Sequence, residues 1–445
     1  MIDFHPGAKT AFATAAEDLL RVVKVYPDVE SRVVKKFNIH PKVVVQEGEI
    51  IGTPKVTERT VDRIGTELGR FWRDGGCRFG WVGEDYQKLK RLAERIARST
   101  ELEGLVSEEF ILDQAFEWLC ETLERKRCDS ITDYLSVRCS EAIKDHELYI
   151  PLCRTYSSVN FAIGDVEFKS ISKEFLDGWF PSKPLDNPDM ERRVRELEND
   201  TRAKFQATLA ACVKVRAEAK AASQQALARA LRATALLRFL SIANRTSKVK
   251  SFALPLGMEN GASWHSFNLD NGVVKGLSAA SIFEGPHEWV IDEARAELPG
   301  LLECLSDLAS LQNTDFRKTL LDAMLIYSRN STTTDPANKL VFILVALESM
   351  LLKDASEPIQ GVLGERMAFL VGASLEARKN IVSTLRKTYA MRSKFIHHGQ
   401  GIDDLEVFDA FLFNAWSCFS KLLELRDRFK TRLELIGKLD EMKLS

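Results

Sequence analysis

Over most of the second half of the chain, apolar residues recur at intervals of three and four, which gathers them on one face of a helix. The intervals predict helices at Leu301–Leu311, Phe316–Ser328, Pro336–Leu352, Gln360–Val371, Leu375–Ile396 and Leu405–Ile436. Short polar breaks such as Ser331-Thr332-Thr333-Thr334-Asp335 separate them, and helices joined this tightly pack antiparallel by default. The first hundred residues are mixed. A helix is expected around Ala13–Val25, a strand at Lys42–Ile50 with β-branched Val43, Val44 and Val45, and helices at Glu84–Ala97 and Ser107–Leu123. Between Glu147 and Ile171 the spacing becomes that of strands. Leu148–Pro151 and Val159–Ile163 come first, and Gly164-Asp165 then turns into Val166–Phe168, a hairpin signature.

Phe180 through Pro188 is punctuated by prolines and reads as a linker. Beyond it, Asp189–Arg245 has no Pro or Gly and is rich in Ala, Leu, Lys, Arg and Gln, which favours one long helix or a hairpin of two. Lys248–Trp289 is strand-like again, with Asn260-Gly261 and Asn271-Gly272 as turns. The alternation suggests one sheet-containing domain with the long helix inserted. The expected fold class is therefore α+β in three parts: a mainly helical region 1–145, a strand-containing region 146–298 with the inserted helix 189–245, and an all-helical domain 299–445.

At 445 residues the chain exceeds the length at which one core stops growing. Its 45% apolar and 28% charged residues are those of a soluble globular protein. A net charge of −2 excludes a generally basic nucleic-acid coat, so an RNA-binding surface must be local. One local imbalance stands out: from Arg202 to Arg245 there are nine Lys or Arg against one acid, Glu218. Such a stripe either tracks a phosphate backbone or is a solvated helix face. The most apolar run, Leu340–Leu352, is too short for a membrane span and contains Glu348. The N-terminus lacks a secretory pattern. Eight cysteines form no C-x-x-C pair and none has a histidine at zinc-finger spacing, so they read as reduced core thiols of a cytoplasmic protein. No cofactor motif or metal-binding motif is present.

The chemistry-bearing segment is Thr388-Tyr389-Ala390-Met391-Arg392-Ser393-Lys394-Phe395-Ile396-His397-His398-Gly399. Leu385, Tyr389, Arg392 and Ile396 share one helical face, so Arg392 sits on a stripe that should be buried. A guanidinium there needs an acid, or else the stripe faces a ligand or another subunit. Glu348 is the one acid in the apolar run and is the natural candidate. Gly399 stops the helix and leaves His397 and His398 in its last turn, where the helix dipole favours a protonated imidazole. Imidazole beside a fixed cation suits phosphodiester cleavage.

Arg392-Ser393-Lys394-Phe395-Ile396-His397 resembles the Arg-x4–6-His motif of HEPN ribonucleases. The surroundings resemble their ApeA-like antiphage branch: Leu340-Val341-Phe342-Ile343 leading to Ala346-Leu347-Glu348-Ser349, then Glu365-Arg366, then Tyr389 ahead of Arg392. The resemblance covers roughly residues 315–435. It implies a metal-independent endoribonuclease of bacterial defence, working as a homodimer in which both motifs meet in one cleft. The 2′-hydroxyl of the RNA attacks the adjacent phosphorus and leaves a 2′,3′-cyclic phosphate. By this resemblance Arg392 stabilises transition-state charge and His397 shuttles the proton. His398 remains an alternative, because the glycine that usually follows the histidine comes after it. Glu348, Ser393 and Tyr389 would support the site, although the family often has Asn, Asp or His where Ser393 stands. Lys394 and Arg366 are the candidate RNA contacts, set against a solvent-facing lysine and an internal salt-bridge residue respectively. A phage-derived trigger or an antitoxin is a further expected partner. The alternative is a non-catalytic HEPN-type module that binds RNA or protein. Aromatic residues Phe408, Phe411, Phe413, Trp416 and Phe419 on the last predicted helix suggest either a subunit interface or core.

Overall fold

The computed structural model describes residues 2–27, 57–74, 77–178, 180, 188–258, 263–270, 273–281, 288–354, 356–399, 401–402 and 404–443. The strand expected at Lys42–Ile50, the turns at Asn260-Gly261 and Asn271-Gly272, and most of the proline linker lie outside them. The class is α+β, with all described strands ahead of residue 291 and helices alone beyond it. Contacts divide the chain into two units, residues 1–146 with 215–225, and residues 147–214 with 226–445.

In the first unit, α1 (Pro6–Arg21) precedes four strands, β1 (Lys24–Pro27), β2 (Thr57–Val61), β3 (Glu67–Asp74) and β4 (Cys77–Val82). They pair antiparallel in the order β1-β4-β3-β2. Sequence spacing misses β2–β4, because β2 is mostly polar and the aromatic residues of β3 and β4 are interleaved with arginines and glycines rather than set in clean alternation. Packing supplies the missing signal. Trp72 of β3 and Trp81 of β4 stack with centroids 5.7 Å apart, and Phe116 meets Trp81 edge-on at 5.7 Å. Three helices follow: α2 (Glu84–Ala97), as predicted, α3 (Glu108–Leu123) and α4 (Ile131–Ala142). Ser107 starts α3 by accepting the Phe110 N–H at 3.1 Å.

The second sheet runs β5-β9-β8-β7 and is built from β5 (Lys144–Pro151), β7 (Phe161–Ile163), β8 (Val166–Ser170) and β9 (Leu209–Ala217). The β7–β8 hairpin is the one read from sequence. A two-residue strand, β6 (Thr155–Tyr156), stands apart from this sheet. The single long helix over 189–245 is not formed. After the short α5 (Lys173–Asp177), α6 (Pro188–Phe205) ends, Ala207 takes a left-handed conformation (φ +65°), β9 crosses the sheet, and α7 (Ala219–Leu237) follows. Residues 209–213 of β9 are buried throughout, with Lys214 and Arg216 outward. Burial between two strands overrides the helical preference of the alanines.

A two-stranded ribbon of β10 (Ser263–Asp270) and β11 (Val273–Ser281) comes next, and then β12 (Trp289–Val290), which pairs parallel with β6. The rest is helical: α8 (Ile291–Glu297), α9 (Leu301–Ser310), α10 (Asp315–Tyr327), α11 (Pro336–Leu351), α12 (Ile359–Val371), α13 (Leu375–His398), α14 (Leu405–Glu424) and α15 (Arg432–Met442). The predicted last helix is therefore two. Residues 425–431 break it, with Phe429 packed on Phe316 and Thr431 capping α15 by accepting the Glu434 N–H. Thr431-x-x-Glu434 has the spacing of a capping box, legible in the sequence, with the Glu434 carboxylate accepting the Lys430 N–H at 2.8 Å. Of the aromatic residues on α14, Phe408, Phe411 and Phe419 are core, Trp416 is half-buried against Phe239, and Phe413 is exposed. Five cysteines are buried, Cys77 and Cys304 are half-buried, and Cys128 is exposed. No helix among the described residues is long and apolar enough to cross a membrane.

Candidate functional site

Helix α13 presents the predicted motif. Ser374 caps its start by accepting the Ala377 N–H, and no Pro or Gly interrupts it until Gly399, which takes a left-handed conformation (φ +64°). The Gly399 N–H closes the last turn on the Phe395 carbonyl at 2.9 Å. Ile381, Leu385, Thr388 and Met391 are buried and hold the helix against its neighbours α12 and α14.

The Arg392 face then departs from the simplest expectation. Glu348 of α11 does not pair with Arg392. It accepts the Tyr389 hydroxyl at 2.7 Å. Burial, and then this carboxylate, push the Tyr389 phenol well above its ordinary value. Arg392, one turn on, is half-buried, and its Nε is shut from water with no hydrogen-bond partner among the described residues. Of the three ways to place a cation on this stripe, the intramolecular acid is taken by Tyr389.

His397 and His398 both project into solvent, their ring centroids 6.4 Å apart. At 100° per residue, His397 is directed about 140° around the helix from Arg392 and about 7.5 Å along it. His398 lies about 120° away on the other side. Ser393 is exposed. Lys394 is exposed on the far side of the helix from Arg392, beside Lys387, Ala390 and Met391. These residues face Asp404 and Glu406 of the α14 start across an open groove of about 650 Å3. Lys387, Met391, Lys394 and His398 form one stripe at i, i+4, i+7 and i+11. Lys387 was overlooked in the sequence, though this spacing reveals it.

Of the two readings open for Arg366, RNA contact or internal salt bridge, the structure has the salt bridge. Arg366 is 2% exposed, and all five of its donors are used: on Glu357 Oε1 and Oε2, Asp440 Oδ1 and Oδ2, and the Leu351 carbonyl, at 2.7–3.0 Å. It ties α12 to α15 and has nothing left for a phosphate. The basic stripe from Arg202 to Arg245 also dissolves. Its residues are spread over α6, β9, α7 and the turns after α7, and six are paired with acids. Arg202 meets Glu198 and Asp177, Lys214 meets Glu167, Arg216 meets Asp145, Lys220 meets Glu109, Arg229 meets Asp165, and Arg245 meets Glu297.

An arginine with an unsatisfied donor can bind an anion and exposed imidazoles can transfer protons, but within one copy the two lie on different sides of α13. Among the described residues no group of three His, Cys, Asp or Glu side chains converges as a metal-ligand set. Compared with models of known families, with curated proteins and with solved structures, the chain matches none.

Proposed function

We propose that the C-terminal helices form a HEPN-type, metal-independent endoribonuclease whose active site is completed by a second copy of the chain. The observation that carries this reading is the Arg392 guanidinium, drawn half into the protein yet left with an unsatisfied Nε. With no acid paired to it among the described residues, the outer end of this half-buried guanidinium is left to meet a scissile phosphate. In this reading His397, or His398, takes the proton of the 2′-hydroxyl as that oxygen attacks phosphorus. Arg392 stabilises the charge that develops on the non-bridging oxygens, and the leaving 5′-oxygen is protonated by an imidazole. The product is a 2′,3′-cyclic phosphate. Tyr389 and Glu348 hold α13 on α11 and so fix where Arg392 emerges. Because Arg392 and the histidines of one copy are directed to different sides of α13, a twofold pair is the natural way to bring them together. An RNA-cleaving chain is toxic unless restrained, which fits a role in bacterial defence with a phage-derived trigger or an antitoxin, in the cytoplasm.

The test is incubation of the purified full chain with tRNA and mRNA in excess chelator, with products analysed for cyclic phosphate ends. Cleavage that vanishes in both Arg392→Ala and His397→Ala, with folding intact, supports the proposal. Cleavage equal to wild type in Arg392→Ala refutes it. The angular separation of Arg392 from both histidines also motivates a second reading, a non-catalytic module that binds RNA or protein. An Arg392→Ala, His397→Ala double variant that keeps both RNA affinity and cellular activity would select that reading.

A further inference from the structure

Away from α13, a second concavity lies between the start of α9, the last turn of α12 and the second half of α14. Its volume is about 630 Å3, within the range occupied by small-molecule sites. The apolar wall is within reach of an occupant. Leu298, Leu301, Leu370, Val371 and Trp416 line it and are each half-buried, so their surface is divided between the core and the cavity. The wall is also firmly held. Gly300 takes a left-handed conformation (φ +82°) at the entry to α9, and the Leu301 N–H donates to the Leu298 carbonyl at 3.4 Å. The Gly372 N–H closes the end of α12 on the Ala368 carbonyl at 2.8 Å. The Trp416 indole stacks on Phe239 and donates to the Phe239 carbonyl at 3.3 Å.

The polar groups around the cavity offer acceptors rather than donors. Ser417 and Ser420 line it one turn apart on α14, and their hydroxyls donate along the helix to the Phe413 and Trp416 carbonyls at 2.9 and 3.0 Å. What each serine presents to the cavity is therefore an oxygen lone pair. The Trp416 N–H is committed to Phe239 and is no donor here either. Charge at the rim is matched. Lys421 meets Glu424 at 2.7 Å, and Arg245 meets Glu297 at 3.4 Å. Neither an ammonium nor a carboxylate gains a partner there without displacing one already present.

We propose that this cavity binds a small uncharged molecule with an apolar body and an N–H or O–H donor. The body lies against Leu301, Leu370 and Trp416, and the donor bonds to the oxygen of Ser417 or Ser420. Each alternative fits less well. A molecule that only accepts hydrogen bonds meets the serine lone pairs, an ion must break a rim pair, and a bare hydrocarbon covers the serine oxygens without answering them. The site shares no residue with α13 and does not depend on the nuclease reading.

Isothermal titration of the full chain with indole, N-methylindole, tryptamine and indoleacetate tests the proposal, alongside a Ser417→Ala, Ser420→Ala double variant. Both hydroxyls bond only within their own helix and alanine is the better helix former, so the variant should fold as the wild type does. The expected result is saturable indole binding, with N-methylindole, which lacks the donor, weaker by about fivefold. The two charged analogues should bind more weakly than indole. In the double variant indole should fall to the affinity of N-methylindole. Absence of indole binding, equal affinities for the two in the wild type, a preference for indole that survives in the variant, or tighter binding of either charged analogue would each overturn it.

Discussion

Arg366 and Arg392 both carry a guanidinium toward the interior of the helical bundle, and their surroundings give them opposite roles. Arg366 is saturated by two carboxylates and a carbonyl. Removing it in Arg366→Ala leaves Glu357 and Asp440 facing each other, and chemical denaturation should show a loss of about 3–5 kcal/mol. Arg392→Ala removes no intramolecular partner, so stability should stay within about 0.5 kcal/mol of wild type while RNA cleavage is lost. The acid limb of stability follows from the same cluster. Hydrogen bonds from Arg366 hold the Asp440 and Glu357 carboxyls below their ordinary values. A carboxyl depressed in the folded state stabilises it above the ordinary carboxylate range, and that contribution fades as pH falls below about 4. Arg366→Met should flatten this limb in a series of urea melts. Lys339 gives a slope of the same sign in a higher pH window, because burial rather than pairing lowers it. It is fully buried, donates to the Ala243 carbonyl at 2.7 Å, and burial lowers it from 10.5 to about 7. Between those values the unfolded chain binds a proton that the folded chain does not, so stability should rise with pH through that window. Below it the burial cost is complete. Lys339→Met should lack this rise, and an unchanged slope in the variant would assign it elsewhere.

At the scale of elements, the end of α13 is set by Gly399 rather than by the histidines before it. Gly399→Ala meets no steric neighbour, yet must adopt a positive φ, which costs about 1 kcal/mol. Gly399→Asn should cost less, and a difference between the two melting temperatures reads this directly. Helix boundaries were mostly legible. α2 was located to the residue and α9–α12 to within one, because a 3.6-residue period and a cap are local properties of the chain. The break between α14 and α15 was equally legible in Thr431 and Glu434 but was masked by the continuous apolar spacing around it. Strand β9 was not legible. Leu209-Ala210-Ala211-Cys212-Val213 reads as helix until β5 and β8 cover its edges, and pairing partners are not encoded in any local window.

For the whole molecule, the proposed site belongs to a pair of chains, and this has a consequence that mixing can test. If each active centre takes Arg392 from one copy and an imidazole from the other, Arg392→Ala and His397→Ala preparations are separately inactive. Exchanged into heterodimers, they contain one intact centre and should regain measurable cleavage of a fluorogenic RNA. Mixtures that stay inactive, although exchange is demonstrated, would rule out the shared arrangement. The sequence alone determined the α+β class, the helical character of everything after residue 299, and the placement of Arg392, His397 and His398 at the end of one helix. These follow from periodicity and capping, which act over a few residues. Only the tertiary structure decided which charges meet. Glu348 goes to Tyr389 across 41 positions, and Arg366 finds one acid 9 residues away and another 74 away. Such pairings are selected by the desolvation cost of each buried group against every partner the fold brings near, a choice that exists only once distant segments have packed.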